Sequence, residues 1–386
     1  MAEPFDMSLV QRGARNRRTP YYEATQRYGP KGFTVYNHMY FPIRFDTFEA
    51  EFDALLNAVT LWDVSVERCL EISGPDGFRF AQLLTPRDLS KCAVGQAKYV
   101  LICDSDGGIV NDPVLTRMDE NTFWFALASS DALLFARGLR NAYPDLDVTI
   151  EEADVAPLQV QGPRSKDLMV KLLGDGILDL KYYFWTHAEI AGVPVVVTRT
   201  GWTSEVGYEV YTTDTARGNE VYEAIMSTGQ EFGIVPTGPS DIRRIEGAIF
   251  NWGADMTYEN NPIEMGLDRL VDWDSLDDKA CISLGALRRI RDAGVERRIV
   301  GVEIDGEPFP ALNNVKWPVS SGDVVVGSVT SAIHSPRLGA NIGFSWVPTE
   351  LSAFGTQLAV ASEWGERRAT VVETPFVDPK KQIPVS

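Results

Sequence analysis

Residues that commonly hold metals or form redox centres are scarce in this chain. Its three histidines (His38, His187, His334) stand far apart, and its four cysteines (Cys69, Cys92, Cys103, Cys281) are scattered singly. No Cys-x-x-Cys or His-x-x-x-His spacing occurs, so neither a zinc site nor a disulfide framework is expected, and no metal is assigned. Long apolar runs are also missing, which excludes a membrane-spanning helix as an expectation. Met1 to Asp6 lacks a basic-then-apolar leader, and Arg17-Arg18 runs into Thr19-Pro20-Tyr21-Tyr22 and not into an apolar core, so no secretory signal is expected, while the singly scattered cysteines lead to the expectation of a reducing cytoplasm. Phosphate-binding and nucleophile-elbow signatures are absent: there is no Gly-x-Gly-x-x-Gly, no Gly-x-x-x-x-Gly-Lys-Ser/Thr and no Gly-x-Ser-x-Gly. Positive charge is in deficit, with 36 Lys and Arg against 54 Asp and Glu and a net charge of −18. Nucleic acid and anionic membranes are therefore not expected partners. The local exception, Arg12, Arg15, Arg17 and Arg18, is read as pairing with surface carboxylates.

What is present is ample apolar material, 44% of 386 residues, which is too much chain for one ordinary domain. Asp46-Thr47-Phe48-Glu49 reads as a capping box, and Phe48, Phe52, Leu55, Leu56 and Val59 follow at helical spacing, predicting a helix over 47–58. A strand at Leu70-Glu71-Ile72 then leads through Gly74-Pro75-Asp76 into a second helix. The same strand–Gly-Pro–helix unit recurs at Leu158 to Arg164, and a third Gly-Pro opens a helix after Gly238-Pro239-Ser240. Each proline is predicted at a first helical position, and the recurrence suggests duplicated α+β halves. Residues 216–232 read as another helix. From about Arg297 the pattern changes to short strands, Val300–Ile304, Val324–Val329, Ala340–Trp346, Leu358–Ala361 and Ala369–Glu373, which predict a separate β-barrel or sandwich.

Three segments could carry chemistry. Gly201-Trp202-Thr203-Ser204-Glu205-Val206-Gly207-Tyr208-Glu209-Val210-Tyr211 leads from a loop into a strand. Alternation puts Glu209 and Tyr211 on one face, an acid able to accept two hydrogen bonds beside an aromatic able to hold a cation. Its bland alternative is a hairpin with a solvent-facing Glu209. Gly107-Gly108-Ile109-Val110-Asn111-Asp112-Pro113 delivers Asp112 at an irregular strand end, or is merely a polar turn. The long connection Asn251 to Pro262 reads as a binding loop, preceded by a helix whose Arg244 could meet a ligand carboxylate or an internal acid.

These segments, taken in order, resemble the glycine-cleavage T-protein family. The resemblance rests on Gly201-x-Thr203-x-Glu205-x-Gly207-Tyr208-Glu209, Gly107-Gly108-x-x-x-Asp112, Asp241-x-x-Arg244-x-Glu246, Gly253-x-Asp255-Met256 and Gly95-Gln96-x-x-Tyr99. It runs from about residue 33 to 375. Thr34 to Met39, Trp62-Asp63-Val64, Pro86-Arg87-Asp88 and Gly327 to Pro336 resemble the dimethylsulfoniopropionate demethylase branch. Thr203-Ser204-Glu205-Val206 instead sits closer to the general family pattern.

The resemblance implies an α+β three-domain cloverleaf: two α+β domains with ferredoxin-like halves and a C-terminal β-barrel. The implied divisions are 1–56 with 152–255, 57–151 with 256–290, and 291–386. It further implies methyl transfer from dimethylsulfoniopropionate to tetrahydrofolate, with a homodimer possible. Glu209, Tyr99, Asp112, Arg244 and Trp185 are then assigned to the folate. Trp202, Tyr211, Tyr36 and His38 are assigned to the donor, with Asp112 and Tyr211 at the transfer centre. The rivals are demethylation of a methylated amine or an aryl ether, the latter drawing a proton from His38 or Tyr99, and glycine-cleavage aminomethyl transfer. A folate-binding iron–sulfur assembly relative fits less well, because Lys279-Ala280-Cys281-Ile282-Ser283 lacks the Gly-Gln-Glu of its motif.

Overall fold

The computed structural model describes residues 13–386. Three β-structures organise it. The first is a six-stranded sheet in the spatial order Trp185–Ile190, Val193–Thr198, Gly207–Thr212, Ala156–Gln161, Val59–Asp63, Ile234–Thr237. Its pairs are antiparallel except the last, which is parallel. Gly207–Thr212 has neighbours on both sides and every residue buried, so its polar side chains are held inside the protein. Leu158, Val160, Val195, Val197, Tyr208 and Val210 meet Val221, Tyr222 and Ile225 of the helix Gly218–Gly229 in the core of this unit. Each such aliphatic side chain contributes about 1.5–3 kcal/mol on full burial.

The second sheet has five antiparallel strands in the order Thr149–Glu152, Cys69–Ser73, Phe123–Ala126, Val114–Arg117, Ala97–Tyr99. The amphipathic helices Gly77–Leu84 and Ala132–Arg140 cover it through Phe80, Leu84, Leu133 and Ala136. The third unit is a closed antiparallel barrel of Arg297–Ile304, Ala340–Pro348, Val324–Ser335, Trp317–Ser321, Gln357–Ser362 and Gly365–Val372. Val302, Val319, Val329, Val360 and Val371 fill its interior with Trp317. Among the described residues no helix is long and apolar enough to cross a membrane.

The elements depart from the sequence reading at four points. Val59–Asp63 lies beyond the division expected at 56/57, yet its ladders run to Ala156–Gln161 and Ile234–Thr237 of the first sheet. All three Gly-Pro prolines sit one residue before the N-cap and not at the first helical position. The caps are Asp76, Arg164 and Ser240, so each proline sets the entry of the chain. The first long helix, Phe48–Asn57, is capped by Thr47, whose hydroxyl accepts from the Ala50 amide, while Asp46 is engaged by Lys31. Finally, Trp317–Ser321 is a barrel strand that the pattern hid, because Pro318 and a bulge after Val319 break its alternation. Arg12 lies outside the described residues; Arg17 and Arg18 pair with Glu152 at 2.8 Å and Glu23 at 2.7 Å.

Candidate active site

A cavity of about 940 Å³ opens where the two sheets, the barrel and the C-terminal segment meet. Glu209 reaches it from the central strand of the first sheet, where register places it opposite Gln159 on one side and Thr198 on the other. Its Oε1 accepts from Gln159 Nε2 at 2.8 Å; its Oε2 accepts from Thr200 Oγ1 and, at 3.4 Å each, from Thr198 Oγ1 and the Tyr211 hydroxyl. Burial raises the Glu209 carboxyl above the ordinary range, while the bonds from Thr200, Gln159, Thr198 and Tyr211 oppose that rise. A solvent-facing Glu209 is thus excluded.

The loop carrying Trp202 is pinned by Gln161, whose Nε2 donates to the Thr200 and Tyr208 carbonyls at 3.1 and 3.2 Å. A Cβ at Gly201 or Gly207 would fall 2.2 or 2.4 Å from the Gln161 side chain, so both positions need glycine for close approach. Thr203 donates to Gln161 Oε1 at 2.7 Å and Glu205 pairs with Arg243 at 2.7 Å. Of the segment Thr203-Ser204-Glu205-Val206, where the loop departs from the demethylase pattern, Thr203 and Glu205 make scaffold contacts, whereas Ser204 lines the cavity.

Asp112 enters from the second unit. Neighbouring Asn111 is turned away and clamped, donating to the Ala128 carbonyl at 3.0 Å and Ser130 Oγ at 2.7 Å, which leaves Asp112 facing the cavity. The Tyr99 hydroxyl donates to Asp112 Oδ2 at 3.1 Å. Burial pushes the Asp112 carboxyl up to about 7, against the stabilising bond from Tyr99. A Cβ at Gly108 would fall 2.1 Å from the Tyr258 carbonyl oxygen, so the binding-loop segment packs directly on this turn.

Aromatic rings line the wall beside these acids. Tyr36, Phe41, Trp62 and Trp202 form a chain with successive centroid separations of 5.8, 5.9 and 6.0 Å. Tyr211 is buried behind Glu209, its ring 6.1 Å from Trp124, and does not reach the wall.

Three further residues assigned from the sequence lie off the wall. His38 is exposed on the turn between Gly32–Tyr36 and Met39–Arg44. Arg244 is fully buried and committed to Asp241 at 2.7 Å, Asp255 at 2.9 Å and Ser331 at 2.8 Å, so its internal-acid reading holds. Trp185 donates from Nε1 to the Arg117 carbonyl at 3.0 Å, tying the two sheets together.

The structure adds wall residues that sequence reasoning missed. Glu67 lies on the tight link between Val59–Asp63 and Cys69–Ser73 and faces the cavity. Its one sequence signal is an acid following Val64-Ser65-Val66. Arg87, Lys98, Arg269 and Lys381 bring positive charge to the wall from scattered positions that no spacing rule connects. Burial first, then Arg243 and Arg269, lower the Lys381 ammonium to about 8. Among the described residues, no group of three or more His, Cys, Asp or Glu is arranged to hold a metal ion.

The GCVT N-terminal domain family matches residues 6–275, and the glycine cleavage T-protein C-terminal barrel domain matches residues 297–378. The chain is 36% identical over 367 residues to the dimethylsulfoniopropionate demethylase DmdA of Ruegeria pomeroyi, covering 95% of this chain and 99% of that protein. It is 31% identical over 377 residues to an aminomethyltransferase of Symbiobacterium thermophilum, covering 93% and 97%. The glycine cleavage system aminomethyltransferase T of Bartonella henselae superposes with a TM-score of 0.83 at 20% identity, over 94% of this chain and 98% of that one, which establishes the shared fold.

Proposed function

The chain belongs to the glycine-cleavage T-protein family, and on that premise we propose that it moves a methyl group from dimethylsulfoniopropionate to tetrahydrofolate. Members of the family are folate-dependent enzymes that transfer a one-carbon unit. The observation that carries the reading is one cavity in which Asp112 and Glu209 stand beside an enclosure of Tyr36, Phe41, Trp62 and Trp202.

The residues present suit a reduced folate. Glu209 Oε1 accepts only from Gln159, while Oε2 takes the bonds from Thr200, Thr198 and Tyr211, so Oε1 keeps a lone pair to accept from a donor of a pterin N–C–N edge. Tyr99 and Tyr183 offer flat apolar faces, and Arg87, Lys98, Arg269 and Lys381 suit the carboxylates at the other end. Bound tetrahydrofolate supplies the nucleophilic nitrogen and leaves as its methyl derivative.

The chain itself contributes alignment and a proton acceptor. A methyl on positive sulfur departs without acid assistance, since the S–C electron pair stays on sulfur and the product is the neutral thioether methylthiopropionate. Asp112, poised near neutrality, can take the proton released on the acceptor side, with the Tyr99 hydroxyl orienting it. The rings exclude water and attract the sulfonium, each well-placed ring contributing about 1–2 kcal/mol. Attraction to the ground-state cation lowers the donor's KM more than it raises kcat, because positive charge on sulfur disperses in the transition state. An aryl ether would instead require a proton donor at oxygen. His38 lies off the wall and Tyr99 is engaged by Asp112, which places that donor class last.

The test is a mass-spectrometric assay of the purified protein with tetrahydrofolate and dimethylsulfoniopropionate. Folate-dependent appearance of methyl-tetrahydrofolate and methylthiopropionate without a carrier protein is the expected result. No product from protein that binds folate would overturn the donor and turn attention to methylated amines.

A further inference from the structure

Glu67 is the one wall carboxyl without an assigned task. It sits on a rigid link: its amide donates to the Val64 carbonyl at 2.9 Å, and the Val66 carbonyl accepts from Asn37 Nδ2 at 3.0 Å. The adjacent cation does not serve it, because Arg68 is turned away to Glu152 at 2.7 Å. Among the described residues no side chain or amide donates a hydrogen bond to the Glu67 carboxyl, unlike Glu209 and Asp112, which each accept at least one. The charged groups that bear on it are the carboxyls Glu209 and Asp112, with no lysine or arginine among them. Trp62, Val64 and Val66 come to the same wall from the chain just before it, and Tyr36 lies within its field.

Charge is thus segregated within one cavity. Arg87, Lys98, Arg269 and Lys381 act on one another, with Asp272 beside Arg87 and Lys98 and Asp378 beside Lys381, while Glu67, Glu209 and Asp112 form a separate acidic group. Holding a half-buried carboxyl without a hydrogen-bond partner is unfavourable, so a ligand that brings positive charge to Glu67 gains more there than at an acid already paired. Burial, then Glu209 and Asp112, hold the Glu67 carboxyl well above its ordinary range, as befits a group whose cation is missing.

We propose that Glu67 is the counter-ion of the methyl donor, its carboxylate pairing with the donor's positive centre beside the Trp62 and Trp202 rings and so selecting onium compounds over neutral ones. The proposal rests on the reading that the donor is cationic. It names a specificity-determining residue, which acts on the ground-state cation and therefore on affinity more than on kcat.

The experiment compares binding of dimethylsulfoniopropionate with that of 4-methylpentanoate, which carries an uncharged carbon in place of sulfur and keeps the same carboxylate. Titration calorimetry on the full-length wild type, Glu67→Gln and Glu67→Asp reads affinity without turnover. Wild type is expected to favour the sulfonium at least about tenfold, roughly the effect of one desolvated charge pair or ring contact. Glu67→Gln is expected to abolish most of that preference while leaving 4-methylpentanoate and tetrahydrofolate affinity unchanged, and Glu67→Asp to keep most of it. A preference that survives in Glu67→Gln, or an equal loss for both ligands, would overturn the proposal. A wild type without any preference would overturn the cationic-donor reading along with it. A preference that depends on Glu67 in a protein that yields no methyl-tetrahydrofolate would leave the counter-ion standing and sink the transfer reaction.

Discussion

At the residue scale, the two carboxyls make different predictions. Glu209→Ala removes the acceptor for the pterin edge and strands Gln159 and Thr200, a loss of about 1–3 kcal/mol in folate binding. Fluorescence titration of the folded variant measures it, and an unchanged folate Kd would take Glu209 out of that role. Asp112 predicts a pH dependence. Its folded carboxyl titrates near 7, far above the ordinary carboxylate range, so the proton-accepting form and the rate should rise as pH climbs through about 7. Stability runs the opposite way: a raised folded pKa favours the protonated native state, and that contribution is lost as pH rises from about 4 to about 7. Asp112→Asn should therefore flatten the acid limb of kcat while melting above wild type at pH 8. An unaltered limb in that variant would assign the ionisation elsewhere. Alternation along one strand revealed that Glu209 and Tyr211 share a face, but not that Tyr211 stops behind Glu209. Arg244 looked available for a ligand because its partner Ser331 lies 87 residues away, beyond any local pattern.

Among the elements, the short helix Asp241–Glu246 decides how the units join. Arg243, Arg244 and Glu246 are all buried on it, a composition stable only because other elements supply their partners. Arg244 meets Asp255 at 2.9 Å and barrel Ser331 at 2.8 Å, and Ser335 donates to Glu246 at 2.6 Å. Arg244→Ala leaves Asp255 buried without its cation, which should cost about 3–5 kcal/mol of stability in urea denaturation. A loss below 1 kcal/mol, on the scale of an exposed pair, would show that the site is solvated. The barrel strands were legible because each alternates locally, whereas Trp317–Ser321 was concealed by Pro318 and its bulge. The place of Val59–Asp63 in the first sheet is invisible locally, because its strand partner Ala156–Gln161 lies about a hundred residues downstream.

For the whole molecule, the cavity wall runs from Thr34 to Pro384, so no window of sequence could display it. The first sheet supplies Gln159 and Glu209, the second Tyr99 and Val114, the barrel Ile299 and Phe344, and the C-terminal segment Pro375 and Lys381. That last segment is tied down by the Val377 amide on the Glu246 carbonyl at 3.0 Å, Arg199 on the Ser386 carbonyl at 2.7 Å, and Lys381 on the Gly247 carbonyl. A ligand that fills such a cavity binds only when all these parts are folded against one another, so its binding energy stabilises them jointly. Tetrahydrofolate at a hundred times its Kd should raise unfolding free energy by about 2.7 kcal/mol, seen as one calorimetric transition moving upward as a unit. Glu209→Ala should lose about 1–2.4 kcal/mol of that shift at the same folate concentration, while Trp202→Ala keeps it and instead raises the donor's KM about tenfold. Were folate to move only one of several separate transitions, the joint wall would not be the binding site, and the search would return to a pocket within a single unit.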